Sequence, residues 1–432
     1  MLDNYHLNQL AEPLLAWFVD HARVLPWRER PEPYRVWVSE IMLQQTRVEA
    51  VKPYYERFLK ALPDVAALAA CPEDQLMKLW EGLGYYNRVR NMRKAAVTVT
   101  EEYDGVLPAD YGKLLELKGI GSYTAGAIAS IAYGIPVPAV DGNVLRILTR
   151  VAADDTDIMK QSFRSAVEAQ LGEMMRELTV PEELRRALRD ENVPGALNQA
   201  MMELGATVCV PNGAPLCEEC PWSKMCLARA QGRVMDFPVK SKAKARRIEE
   251  RTVLVIRDGE KVAIRKRPKK GLLAGLYELP NLSGALSAEE VLSYVKEQQF
   301  APLRIEKLAD AKHIFSHIEW RMSGYAILVE EAGFAAEKEP ESGNGRTPEE
   351  KADGEGGLIF VDAWDARERY AIPSAFSAYA GYLKRNLIKI KKDKKVCKRG
   401  SRCIAPAFHM KKIVCMESEI NSLSAGRNLA YF

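Results

Sequence analysis

LKGIGSYTAGAIAS, Leu117 to Ser130, sets the reading of the first half of the chain. Gly119 and Gly121 permit a tight turn between two helices, because glycine enters backbone regions that a Cβ forbids. The second helix begins just after the turn, and the backbone N–H groups exposed there suit a phosphate oxygen. Further along, PAVDGNVLRILTR places Asp141 directly before another helix, where an Asp most often serves as N-cap.

Outward from this turn, Ala, Leu and Met recur at helical spacing in Asp74–Trp80, Asp110–Leu117 and Tyr123–Tyr133. Gly and Pro punctuate them at Gly105–Pro108, Gly119–Gly121 and Gly134–Pro138, so residues 1 to about 230 read as helical. Over Phe237–Glu250 the composition becomes basic and polar, as a linker would. The period then changes. Thr252–Ile256 and Lys261–Arg265 flank Asp258-Gly259, a hairpin signal, with strand-like runs at Ser323–Val329 and Gly357–Val361 and a helix at Ala288–Gln298. That is a smaller α+β domain. Glu337–Gly356 reads as a disordered loop, and the Lys-rich end from Lys384 as a disordered tail.

The 432 residues carry 62 Lys+Arg against 58 Asp+Glu, with 47% hydrophobic residues, which excludes global disorder and fibrous classes. The N-terminus has no signal-peptide pattern. The longest apolar stretch, Ala125 to Val140, is broken by Tyr133, Gly134, Pro136 and Pro138, so a soluble, intracellular protein is expected. A net charge of +4 does not by itself identify a nucleic-acid partner. Of eight cysteines, four form Cys209-x7-Cys217-x2-Cys220-x5-Cys226, and four thiolates in such a window can close on zinc or on a [4Fe–4S] cube. Spacing leaves that choice open.

Two further stretches carry chemistry. In YRVWVSEIMLQQTRVEAV, Glu40 lies among Val38, Ile41 and Met42, where burial would raise its pKa and let it deliver a proton near neutral pH. Gln44 and Gln45 follow, with planar amides suited to entering a base stack. GLGYYNRVRNMR interleaves Tyr85 and Tyr86 with Arg88, Arg90 and Arg93, a pattern that fits insertion into a nucleic-acid strand and tracking along it.

In order, WVSEIMLQQT, GLGYYNRVRN, LKGIGSYTAGAI, VDGNV and the four cysteines resemble the endonuclease III superfamily of helix-hairpin-helix glycosylases over residues 8–230. Within it the chain resembles the MutY family, adenine DNA glycosylases that remove adenine mispaired with 8-oxoguanine. Tyr123 stands where the backbone-cleaving branch has a nucleophilic lysine, and a tyrosine cannot form the Schiff base that β-elimination needs. GLLAGLYELPNL (Gly271–Leu282) and HIFSHIEW (His313–Trp320) are both like the MutY recognition domain, which is Nudix-like. The glutamate-rich helix by which Nudix hydrolases hold Mg²⁺ is missing after Gly275-Leu276-Tyr277-Glu278, and Glu289 and Glu290 read as an ordinary helix start. The implied fold is multi-domain: an all-α helix-hairpin-helix glycosylase domain with an iron–sulfur cluster loop, plus a C-terminal α+β Nudix-like domain. Its expected bounds are 1–230 (hairpin 111–130, cluster loop 209–226), a linker at 231–250, an 8-oxoguanine recognition domain at 251–383 and a basic tail at 384–432.

The resemblance also implies roles. Glu40 would protonate N7 of a flipped adenine and then activate water, Asp141 would stabilise the sugar cation, Tyr123 would orient acid or sugar, and Asn143 would fix the site. Arg28 and Gln199 would contact the base, while Gln45, Leu83 and Tyr85 would fill or distort the duplex. Gly119 to Gly121 would hold a phosphate, with a monovalent cation at that place, and Phe315, Ser316 and His317 would read the oxidised guanine. Cys209, Cys217, Cys220 and Cys226 would hold a [4Fe–4S] cluster, although the first spacing is one residue longer than the family's usual one. The expected partner is double-stranded DNA with adenine opposite 8-oxoguanine, and also G:A, bound by a monomer that touches no membrane. The expected location is cytoplasmic, bacterial and nucleoid-associated. Two other readings compete: a bifunctional glycosylase and lyase on oxidised pyrimidines, and a non-catalytic cluster-bearing DNA-binding protein indifferent to Glu40→Gln.

Overall fold

The computed structural model describes residues 8–241, 245–330 and 357–383. The expected loop at 337–356 and the tail from 384 lie outside the described residues. Helices α1 (Asn8–His21), α2 (Pro26–Glu29), α3 (Pro33–Leu43), α4 (Val48–Ala61), α5 (Val65–Ala70), α6 (Glu73–Leu79) and α7 (Asn87–Glu102) lead to the hairpin pair, α8 (Tyr111–Glu116) and α9 (Ser122–Tyr133). After it come α10 (Gly142–Ala152), α11 (Gln161–Glu177), α12 (Glu182–Ala187), α13 (Val193–Thr207) and α14 (Leu227–Ala230). Among the described residues no helix is long and apolar enough to cross a membrane.

α9 is buried continuously from Thr124 to Ile131, as a helix with apolar or small residues all round must be. Gly126 is needed there because a Cβ would stand 2.1 Å from the Pro138 carbonyl oxygen, so the 137–139 segment lies flat against the helix. Two core clusters form the helical part. One gathers Trp37, Phe58, Trp80, Val89 and Ile128, and the other gathers Leu14, Leu145, Phe163 and Leu204. Each large apolar side chain so buried contributes roughly 1.5–3 kcal/mol of transfer free energy. Ala139 packs in the first cluster and Val140 in the second, so Asp141 emerges at their seam.

The remainder is built on a sheet. Strands β1 (Arg247–Asp258), β2 (Lys261–Lys266), β3 (Tyr277–Glu278), β4 (Asn281–Ser283), β5 (Ala301–Ile314), β6 (Ile318–Glu330) and β7 (Leu358–Asp362) run in the order β3-β2-β1-β6-β5, with β4 beside β1 and β7 beside β2. β1 and β6 are parallel, and the other pairs are antiparallel. The hairpin at Asp258-Gly259 is present, with Asp258 opposite Lys261. Helix α15 (Ala288–Glu297) lays Val291 and Val295 on Leu254, Ile256 and Ile327. β5 escaped the sequence reading because bulges between Pro302 and Arg304 and between Leu308 and Ala311 break its period of two.

Sheet and helices pack on one another. Leu276 and Ala371 join the first helical core cluster, and Arg90 Nη2 donates to the Ala274 carbonyl at 2.6 Å. Lys266 Nζ meets Asp74 at 3.0 Å, and the Ile372 N–H donates to Glu81 at 3.0 Å.

Candidate active site

α3 is buried from Val36 to Met42, and Glu40 among them is only 5% exposed. Tyr123, in the first turn of α9, donates its hydroxyl to Glu40 Oε2 at 2.5 Å. Burial pushes the Glu40 carboxyl up to about 7. The Tyr123 bond opposes that rise, the nearby Asp141 carboxylate adds to it, and the Arg28 charge opposes it. Burial, with the charges of Glu40 and Asp141, lifts the Tyr123 phenol well above its ordinary value, so it stays a neutral donor.

Asp141 is both an N-cap and a member of this group. Its Oδ1 accepts from the amides of Asn143 and Val144 at 2.8 Å each, and its Oδ2 accepts from Asn143 Nδ2 at 2.7 Å. Burial raises its pKa, and these three bonds, which favour the ionised form, work against that rise. Asn143 is itself held, because Arg146 Nη2 donates to its Oδ1 at 2.8 Å while bonding the Gly205 carbonyl at 2.7 Å.

Glu40, Tyr123, Asp141, Asn143, Gln45, Arg28 and Gln199 line one open cavity of about 1230 Å³. Arg28 and Gln199 are joined, Nε to Oε1, at 3.1 Å. Arg28 Nη2 also reaches Glu203 at 2.9 Å, and Arg23 Nε meets the same carboxylate at 2.5 Å. Burial opposes ionisation of Glu203, but the Arg23 bond and the two guanidinium charges outweigh it and hold its pKa below the ordinary value. Sequence reasoning missed Arg23, Glu203 and Arg146. Glu203 could have been found, since it follows Gln199 by one helical turn and shares its face.

The two loops expected at the duplex are tied together from inside. Arg88 Nη1 donates to the carbonyls of Ile41 and Gln44 at 2.6 Å each, and Nη2 to those of Leu83 and Gly84 at 3.0 and 3.2 Å. Arg88, Arg90 and Arg93, expected to track a strand, each bond within the chain. Arg88 is a half-buried brace, Arg90 bonds Glu73 and Ala274, and Arg93 reaches the Ala69 carbonyl at 3.4 Å. Gln45 is exposed at a left-handed φ of 62°, and Tyr85 is half-exposed at φ 47°. Leu83 lies in the core, 6% exposed.

In the hairpin only Gly119 needs to be glycine for its backbone. Its φ is +82°, and a Cβ would stand 2.7 Å from Asn91 Cβ. Gly121 has φ −97° and open space around it, so it leaves the α9 N-terminus uncovered. Phe315, Ser316 and His317 form the turn between β5 and β6. Phe315 is wedged edge-on between His313 and Trp320 at 4.6 and 5.0 Å, and Ser316 and His317 are exposed. Glu290 caps α15 with Ser287, and Glu278 is spent on Arg265 and Arg267.

The metal expectations are overturned. Cys209, Cys217, Cys220 and Cys226 do face one cavity, but its volume is about 20 Å³, room for one water and not for an iron–sulfur cube. Among the described residues no group of three or more His, Cys, Asp or Glu stands where it could hold a metal ion. Arg150 Nη1 donates to Cys209 Sγ at 3.2 Å, and Cys226 Sγ donates to the Arg150 carbonyl at 3.5 Å. Burial raises the Cys217, Cys220 and Cys226 thiols, Cys220 to about 12. The [4Fe–4S] cluster, the cluster loop at 209–226 and the monovalent cation at the hairpin are all withdrawn. Residue spacing counts positions along the chain and says nothing of where each sulfur points.

Residues 38–173 match the HhH-GPD superfamily base excision DNA repair proteins, and residues 252–380 match the NUDIX domain. The adenine DNA glycosylase of Homo sapiens is 34% identical over 396 residues, covering 76% of this chain and 70% of its own length. That of Buchnera aphidicola subsp. Baizongia pistaciae is 29% identical over 322 residues, covering 74% of this chain and 86% of its own. Among solved structures, a thermostable thymine-DNA glycosylase is similar with a TM-score of 0.43 and 24% identity, over 54% of this chain and 100% of that one.

Proposed function

The chain belongs to the adenine DNA glycosylase family, and from that premise we propose that it removes adenine opposite 8-oxoguanine in duplex DNA, with Glu40 as acid and Asp141 as sugar-facing carboxylate. The observation that carries this reading is the Tyr123 hydroxyl on a buried Glu40 whose pKa is raised to about 7, in the cavity that Asp141 also lines. A carboxyl poised there is protonated often enough to donate and ionised often enough to accept afterwards.

A base inside a duplex cannot reach Glu40, so the nucleotide must be flipped out. Glu40 then gives its proton to N7, and the C1′–N9 bonding pair leaves with the adenine. Asp141, fixed by its three donors, which favour its carboxylate form, stabilises the positive charge left on the sugar. Glu40, now a carboxylate, takes a proton from the water that closes on C1′. Arg28 and Gln199, joined to each other on the cavity wall, meet the base edge. Arg88 holds the loops bearing Gln45 and Tyr85 in register with the duplex. The Phe315–His317 turn reads the oxidised guanine, with Phe315 clamped by its aromatic neighbours and Ser316 and His317 left open to hydrogen-bond.

The test is a duplex with adenine opposite 8-oxoguanine, opposite guanine and opposite thymine. Strand breaks are expected only after alkali, fastest at 8-oxoguanine, with no adduct trapped by borohydride. Breaks without alkali, or a trapped adduct, would show lyase chemistry and overturn the monofunctional reading.

A further inference from the structure

The cavity around Glu40 is lined by four arginines, and they divide by what holds them. Arg23 and Arg28 are bound by Glu203. The guanidiniums of Arg47, the residue that precedes α4, and of Arg164, on α11, make no hydrogen bond or ion pair among the described residues. The cavity's carboxylates are already engaged: Glu203 by two guanidiniums, Glu49 by Lys52 at 2.7 Å, Glu40 by Tyr123 and Asp141 by three donors. Arg164 is half-buried, and a cation taken partly out of water without a partner is costly unless an anion joins it.

We infer that Arg47 and Arg164 are phosphate grips for the flipped nucleotide, one from α4 and one from α11, separate from the hairpin's phosphate site. This rests on the glycosylase reading. A flipped nucleotide brings a neutral base to the carboxyls at the bottom of the cavity and leaves anionic phosphates on both sides of its sugar at the mouth. Uncommitted guanidiniums suit those phosphates, each offering paired N–H donors to phosphate oxygens. Arg47 also follows Gln45 by two residues, so gripping a phosphate would fix the exposed loop against the strand it enters.

The experiment measures binding of the full chain to a fluorescent duplex carrying 2′-fluoro-2′-deoxyadenosine opposite 8-oxoguanine, a sugar that resists cleavage, across a series of salt concentrations. Each lost phosphate contact should reduce the slope of log K against log[salt] by about 0.9, so Arg47→Ala and Arg164→Ala should each show that drop and the double variant about twice it. Arg47→Lys and Arg164→Lys should keep the slope, which a purely structural role would not restore. Arg185→Ala, whose guanidinium is already held by Glu182 and Glu191, serves as the control for net charge. An unchanged slope in both alanine variants, with melting curves like that of the parent chain, would overturn the inference. The parent chain is assayed in parallel for adenine release from the unmodified duplex. A falling slope without release would support the grips and count against the glycosylase reading alone.

Discussion

Glu40 shows how one side chain carries a pH dependence. Burial raises its pKa from 4.5 to about 7, so the acid form is lost as pH rises through that value. Single-turnover adenine release should therefore fall above pH ~7 with the slope of one proton. The Tyr123 hydrogen bond lowers the Glu40 pKa, so Tyr123→Phe should move this alkaline limb to higher pH, and a limb that stays in place would contradict the assignment. Stability follows the same sign. The raised pKa means the folded chain binds the proton more tightly, so this stabilisation is complete below pH 4.5 and is lost as pH rises through about 7. Glu40 was legible in advance because Val38, Ile41 and Met42 surround it in sequence. For Glu203 the helical spacing from Gln199 marks its face, but its pairing with Arg23, 180 residues away, was not legible.

At the scale of elements, the hairpin separates two glycines that look alike in sequence. Gly119→Ala must place a Cβ against Asn91 in a left-handed backbone, and should cost about 1–3 kcal/mol and weaken DNA binding. Gly121→Ala meets open space at an ordinary φ and should change stability by about 0.5 kcal/mol or less. Urea unfolding of the two variants distinguishes them, and equal losses would show that the turn is not built as described. The helices were legible because their apolar spacing persists over several turns, as at Tyr123–Tyr133. β5 was not, since its bulges scramble the alternation that marks a strand. The cysteine segment misled for a related reason: Arg150, 59 residues before Cys209 in sequence, bonds the sulfurs of Cys209 and, through its carbonyl, Cys226.

Over the whole molecule, α7 links the loops at the cavity to the segment at Ala274 that leads into the sheet. α7 carries Arg88, which braces the loops at the cavity, and, two residues on, Arg90, which bonds Ala274 beside the sheet. Arg90→Ala removes a charged hydrogen bond worth about 1.5–3 kcal/mol, whereas its exposed Glu73 pair contributes little. The expected result is a smaller preference for adenine opposite 8-oxoguanine over adenine opposite guanine, read as the ratio of their single-turnover rates. An unchanged ratio would mean that the two parts act independently.

The role of Glu40 as the acid is the step on which adenine release depends. Single-turnover release of adenine from a duplex with one adenine opposite 8-oxoguanine should be followed for the parent chain and Glu40→Gln, with adenine opposite thymine as control. Release should be confined to the mispair and reduced by at least about a hundredfold in Glu40→Gln, with duplex binding retained. Tight binding by the parent chain without release, or a Glu40→Gln variant as fast as the parent, would contradict that role.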